Sequence, residues 1–334
     1  MDLAIDIHTH VVPYDFPAHP GGGASPRWPQ MAATQNCRHR NVMIDGKVFR
    51  TVTDECWDVE RRREAMAAAG IGRQVLSPMP ELLSYWLSRD EALLLCRHLN
   101  DSIAGMVAQA PGSFAALGAV PLQDPDLAAR ELESLMSMGV FKGVEIGTNV
   151  NGTAIGDARF EPFFAAAETL GAAIFVHALH PAGVERLVGP PALMQLVAFP
   201  GETALSIASL ITGGVLERHP KLRIAFAHGG GGFALTLPRL MFGWDQLKLA
   251  AATARSPIEQ ARSLFYDTLV YDAPTLRHLI ATFGRTQLCV GTDHPFVIQD
   301  KTPVAGIDAL GLDPADRELL IRGNAQRFLG DPRT

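Results

Sequence analysis

Short apolar runs alternate with longer helical patterns along almost all of this 334-residue chain. That alternation restricts it to repeated βα units on a parallel sheet. Eight runs read as strands: Leu3–Ile7, Gln74–Leu76, Ala115–Val120, Val144–Ile146, Ala173–Val176, Arg223–Ala227, Leu264–Asp267 and Leu288–Gly291. A helical pattern follows nearly every one, so the predicted fold class is α/β, a (β/α)₈ TIM barrel. Such a barrel needs about 250 residues plus insertions. Asp124-Pro125 supplies an N-cap and a first-turn proline, and Gly139 follows the last turn of that helix. Ser206–Glu217 and Glu318–Phe328 read as amphipathic helices. With no linker, low-complexity tract or repeat beyond the βα rhythm, residues 1–334 are read as one domain.

One connection breaks the rhythm. Residues 11–56, rich in Pro and Gly, separate the first strand from the first clear helix. Loops of that length are usually functional or disordered, and this one leaves the strand end where barrel enzymes place their active sites. It is read as a lid or substrate-binding insertion over the active site.

Composition narrows the partners. With 47% hydrophobic residues, a large core can be buried. A net charge of −6 and the lack of basic blocks argue against nucleic acid; the short run Arg61–Arg63 reads as the solvated face of a helix. The four cysteines, Cys37, Cys56, Cys96 and Cys289, form no C-x-x-C pair and fit free thiols in a reducing compartment. No basic, signal-like start and no run of about 18 purely apolar residues is present, so the expectation is a cytoplasmic enzyme without a membrane span.

The chemistry gathers at strand ends. In Asp6-Ile7-His8-Thr9-His10, a period of two puts His8 and His10 on one side. Two imidazoles converging in a barrel suit a divalent ion such as zinc. A lone histidine is more often structural, but H-x-H at the end of the first barrel strand points to metal. His177, His228 and Asp293 each follow a later apolar strand, at the end where catalytic groups lie. His180 is read as a loop residue near the metal and a substrate contact. His294 should point away from Asp293 and is read as a supporting or packing residue. His19, His39, His98, His219 and His278 lack a strand-end context and are read as surface or structural, His39 being the one that its loop could bring into play. Gly229–Gly232 could cradle a phosphate or let the backbone pass close to the site; the second is preferred because a histidine precedes them. Lys142 lies at the wrong end of the fourth strand to bridge two metals, so the centre is expected to be mononuclear. Glu145, inside that strand, is expected to be a structural or supporting acid.

With these residues in place the chain resembles the amidohydrolase superfamily, in the branch of 2-amino-3-carboxymuconate-6-semialdehyde decarboxylase and its relatives. The matching segments are Ile5–His10, Val120–Asp124, Phe175–His177, Ala227–Phe233, Gly291–Phe296 and Gly323–Phe328, in order across nearly the whole chain. The resemblance implies one divalent ion, zinc or else manganese, bound by His8, His10, His177 and Asp293 with a water completing the shell. It implies that His228 works with that water as acid/base beside Asp293. It further implies that Arg50 and Arg239 bind substrate carboxylates, Arg239 from a neighbouring subunit of a homodimer. The segment Ala178–Pro181 and the loop Cys37–Arg40 depart from the family pattern, in the substrate pocket and not at the metal. The implied activity is non-oxidative decarboxylation of a small unsaturated or aromatic acid. The alternatives are hydrolysis or hydration on the same scaffold and, from another class, a non-catalytic metal or small-molecule binding protein.

Overall fold

The computed structural model describes residues 3–21, 27–247 and 254–331. Eight parallel strands form one sheet in chain order: β1 (Ala4–Val11), β2 (Ile71–Pro78), β3 (Phe114–Gly118), β4 (Phe141–Gly147), β5 (Ala173–His177), β6 (Arg223–Phe226), β7 (Phe265–Asp267) and β8 (Leu288–Cys289). Every expected strand is present, though β1 runs on through His8 and His10. Backbone bonds from Ile7 N to Val290 O (2.9 Å) and from His10 N to His294 O (2.7 Å) tie the last unit to the first and close the barrel.

The faces of the strands separate two cores. Ile5, Ile7, Val75, Leu117, Phe175 and Ala225 fill the barrel interior. Their sequence neighbours, including Ala4, Leu76, Ile174, Val176 and Ile224, pack outward under the helices. The terminal helix Asn324–Leu329 closes the lower mouth with Phe328 and Leu329. Asn324 Nδ2 donates to the carbonyl oxygens of Leu288 (2.7 Å) and Arg285 (2.8 Å). Asp124 caps the helix Pro125–Ser137 as expected, accepting from Leu127 N.

Two helical expectations shift in detail. The segment read as Ser206–Glu217 is the helix Phe199–Thr212, a turn at Gly213-Gly214, and the short helix Val215–Arg218. The final helix begins at Pro314 and passes through a widened turn at Leu319–Gly323. The stretch Met194–Thr212 has the length and hydropathy of a membrane span, but Glu202 on it is buried and bonded to Asn149 Nδ2 (3.0 Å) and Ala182 N (3.0 Å). Those bonds build the helix into the barrel wall.

The described residues of the insertion include a small sheet that its composition concealed. Gln30–Ala33, His39–Ile44 and Lys47–Thr53 pair antiparallel. Asp45-Gly46 turns the hairpin with both φ angles positive, 54° and 68°, the backbone that two-residue hairpin turns require and Asp-Gly adopts readily.

The run Arg61–Arg63 is not one solvated face. On α1 (Val59–Ala68), Arg61 and Arg63 are exposed and pair with Glu64 and Glu60. Arg62 is fully buried. It donates to Glu55 O (2.9 Å), Thr9 Oγ1 (3.2 Å), Gln74 Oε1 (3.3 Å) and the carbonyl of His10. Burial pulls the guanidinium down to about 10, so it stays charged at neutral pH. Arg62 therefore clamps α1 onto the strand that carries His8 and His10. Replacing it strands several buried acceptors. Arg62→Met should destabilise the fold by about 3 kcal/mol and Arg61→Ala by about 0.5 kcal/mol or less, read by urea unfolding.

Candidate metal centre

The two histidines of β1 reach the barrel interior through an irregularity. The pairing of β1 with β2 shifts register between Asp6 and Thr9, so His8 turns inward after the inward Ile7 and lies 5.0 Å from the Phe175 ring. Thr9 points outward to Arg62, and His10 turns in again. On β5 regular alternation puts His177 on the inner side with Ala173 and Phe175. Asp293 lies in the loop after β8 at φ +62°, held by its own N–H on His8 O (2.9 Å). Gly291 makes room for this approach: a Cβ there would meet Asp267 Cβ at 2.5 Å and His8 Cβ at 2.9 Å.

The outer nitrogen of each imidazole is fixed by an acceptor. His8 Nδ1 meets Asp267 Oδ2 at 2.6 Å, His10 Nδ1 meets Pro78 O at 3.1 Å, and His177 Nδ1 meets Ala178 O at 2.9 Å. An ionised carboxylate and a carbonyl only accept, so each Nδ1 carries the proton and each Nε2 is left with a lone pair. These lone pairs converge. His8 Nε2 and His10 Nε2 are 3.1 Å apart, and Asp293 Oδ1 stands 3.1 Å from His10 Nε2 and 3.5 Å from His8 Nε2. His177 Nε2 and Asp293 Oδ1 are buried without a hydrogen-bond partner. One donor atom from each of His8, His10, His177 and Asp293 lies within 4.8 Å of the others. Lone pairs facing one another in a dry interior repel unless a cation stands among them, so the set fits a divalent ion.

The electrostatics agree. Burial would lower His8, but the Asp267 hydrogen bond and the charges of Asp293, Asp267 and Glu145 lift it to about 9. Burial works against the charge on Asp293, yet His10 at 3.1 Å and the other imidazoles around it hold it well below the ordinary carboxylate range. Without an ion the His8 Nε2 lone pair therefore takes up a proton at neutral pH, which a bound divalent ion would displace, while Asp293 stays ionised. Burial drives Glu145 well above that range. It meets Ser77 Oγ at 2.5 Å, and the same hydroxyl meets Thr9 O at 2.8 Å. Glu145 supports β1 and lies outside the ligand group. Lys142 is at the opposite end of β4, paired with Asp331 at 2.8 Å.

His228 stands beside the centre, its ring centroid 5.0 Å from His177 and 5.3 Å from His8. Its Nδ1 has no partner, and burial with the nearby His8 lowers it to about 4, so the ring is neutral at pH 7. The glycines behind it do not cradle a phosphate. The amides of Gly229, Gly230, Gly231 and Gly232 are bound to Asp267 Oδ1, Ala227 O, His228 O and Pro200 O. Gly231, at φ +58°, passes so close to Pro200 that a Cβ would lie 2.0 Å from its carbonyl oxygen. Close passage, the preferred expectation, matches this geometry.

Arg50 enters the same cleft from the insertion, with its guanidinium carbon 4.2 Å from the Phe296 ring centroid. His180 is exposed, 5.2 Å from the Trp86 ring, and does not line the cleft with His228. Arg239 is exposed on the outer helix Phe233–Gln246, away from the centre of its own chain. His294 points away from Asp293 to Gln299 Oε1 (3.0 Å). His19, His98 and His219 bind Glu91, Asp15 O and Glu161, as surface or structural residues do.

Asp267 escaped the sequence reading. Besides His8, its carboxylate holds the amides of His228 (2.9 Å), Gly229 (2.7 Å) and Leu269 (3.0 Å), so one side chain orients both a ligand and the neighbouring histidine. It ends β7 as His177 ends β5, and the same strand-end rule would have found it. Glu81, Gln195, Phe199 and Ile298, which also line the cleft, lie beyond the strand ends and carry no comparable signal.

This is the centre of a metal-dependent barrel enzyme. The chain belongs to the amidohydrolase family, whose model matches residues 5–330. It is 35% identical to the 2-amino-3-carboxymuconate-6-semialdehyde decarboxylase of Dictyostelium discoideum, over 99% of this chain and 92% of that one. Among solved structures, 5-carboxyvanillate decarboxylase from Sphingomonas paucimobilis superposes with a TM-score of 0.76 at 25% identity, covering 84% of this chain and 85% of that one. Dihydroxybenzoic acid decarboxylase from Polaromonas sp. JS666, with bound manganese, gives a TM-score of 0.80 at 22% identity over 100% and 98%.

Elemental analysis should find Asp293→Ala without bound metal. Asp267→Asn should stay folded and bind metal ~10- to 100-fold more weakly, measured by competition with a chelator.

Proposed function

We propose that this chain is a metal-dependent, non-oxidative decarboxylase of an aromatic or unsaturated carboxylic acid. The observation that carries the reading is His228, neutral and unpartnered, beside the His8, His10, His177 and Asp293 centre, in a chain 35% identical over nearly its whole length to a decarboxylase. Three imidazoles and one carboxylate suit zinc. Zinc is the resident ion we propose, with manganese, bound in the Polaromonas relative, as the alternative.

When bound, the ion supplies Lewis-acid stabilisation of the negative charge that develops on the substrate. The protein does the rest. Asp267 and Pro78 fix His8 and His10, Arg50 anchors the polar end of the acid, and Phe296 and Ile298 keep water from the ring. When the bond to the carboxylate carbon breaks, its electron pair stays on the substrate carbon and CO₂ leaves. His228 takes up a proton from solvent and, as the imidazolium, delivers it to the carbon that holds that pair, which returns the ring to its neutral form, so the sum is one acid anion plus one proton giving product and CO₂. The test is CO₂ release across a panel of aromatic and unsaturated acids; hydrolysis or hydration would instead add water to the product without CO₂. His228→Ala should keep its metal and lose turnover by ~10²- to 10⁴-fold, and near-normal turnover would remove the acid/base role.

We further propose a homodimer in which Arg239 serves the partner's site. The helix that carries it exposes Leu235 (76%) and Phe242 (69%), large apolar side chains that suit contact with a second copy. His228→Ala and Arg239→Ala should each be nearly inactive alone. Mixed and allowed to exchange subunits, they should recover roughly a quarter of wild-type activity, because half of the dimers are mixed and each has one intact site. No recovery would place Arg239 outside the active site.

A further inference from the structure

The cleft holds a charged group that the proposed reaction leaves unused. Glu81 sits in the turn Pro80–Leu83 after β2. Its side chain is 7% exposed and lines the same cavity as His177, His228 and Asp293. Its Oε1 accepts from Arg50 Nη2 at 3.2 Å, while its Oε2 is buried with no hydrogen-bond partner. Among the described residues the Arg50 guanidinium has no other hydrogen-bond partner, so most of its five N–H donors are free. Phe296 contacts both Arg50 and the His10 ring, the latter stacked at 5.1 Å, which joins the Arg50–Glu81 pair to the metal centre through one side chain.

This pair is an odd receptor for a carboxylate. Arg50 is already matched by Glu81, and a second carboxylate on Arg50 would bring like charges together in a poorly solvated cleft. A carboxylate can only accept, so it would also leave Glu81 Oε2 without a donor, which is unfavourable for a buried charged oxygen. A hydroxyl satisfies both partners, because its oxygen accepts from Arg50 while its O–H donates to Glu81.

We infer that Arg50 and Glu81 form a hydroxyl-reading subsite, so that the substrate is an acid that bears a hydroxyl away from the carboxylate taken at the metal centre. The inference rests on the reading of this cleft as a decarboxylase active site and names its substrate class. Glu81 is then the specificity-determining residue: it rewards a hydroxyl and rejects a second carboxylate at the same place.

The test is equilibrium binding by calorimetry to the metal-loaded enzyme, using 3-hydroxybenzoate and benzene-1,3-dicarboxylate. The two differ only in the group meta to the shared carboxylate. Neither has the ortho or para hydroxyl that stabilises the ring during decarboxylation, so binding is read without turnover. The wild type should bind the hydroxy acid ~10-fold or more tightly than the diacid, as a hydrogen bond to a charged group implies. Glu81→Val should erase that preference and tighten the diacid by ~10-fold, since Arg50 loses its internal counter-charge. Glu81→Gln, which keeps the shape, should move the ratio in the same direction and keeps the test available if the valine variant does not fold. A wild type that prefers the diacid, or a ratio unchanged in the folded variants, would overturn the subsite. The predicted binding ratios, together with no CO₂ from any acid of the separate turnover panel, would keep the subsite and remove the decarboxylase reading.

Discussion

Three buried imidazoles can offer lone pairs to one point only if the other nitrogen of each is held. Here Asp267, Pro78 and Ala178 take the Nδ1 protons of His8, His10 and His177. The 2.6 Å contact between His8 and Asp267 matters most, because it puts a full negative charge behind a ligand in a place without solvent. The same carboxylate holds the amides of His228 and Gly229, so the backbone that carries the neutral histidine is anchored to the group that holds the ligand. One charged side chain on β7 thus links the metal centre to the segment that carries His228.

The barrel makes that arrangement possible by its closure and by one fault in its regularity. Bonds between β1 and the segment after β8 bring Asp293 to His8 and His10. The register shift in β1 turns His8 inward, and Gly291 leaves space where His8 and Asp267 meet. Beneath them Arg62 ties α1 to the backbone of His10. The histidines are therefore fixed from below by a buried cation, from the side by a carboxylate, and from within by packing on Phe175 and Phe296.

Much of this was legible in the sequence because strand ends in a barrel share one neighbourhood. Eight apolar runs gave the architecture, and polar residues directly after them gave His8, His10, His177, His228 and Asp293. Lys142 was correctly placed at the far end of its strand. Asp267 obeyed the same rule but looked like an ordinary strand terminus. Arg62 was misread because a run of three arginines suggests one solvated face, whereas helical geometry points adjacent residues in different directions. The small sheet of the insertion was announced only by Asp45-Gly46. Glu81 was not legible, since its meaning depends on Arg50 arriving from a hairpin 31 positions away in sequence.

We propose one divalent ion among four named atoms, and diffraction can locate that ion without any assay. Crystals grown with manganese or zinc and measured at the metal's absorption edge should give a single anomalous peak among the Nε2 atoms of His8, His10 and His177 and Oδ1 of Asp293. A second peak bridged toward Glu145, or a peak away from these residues, would contradict the mononuclear centre on which the rest depends.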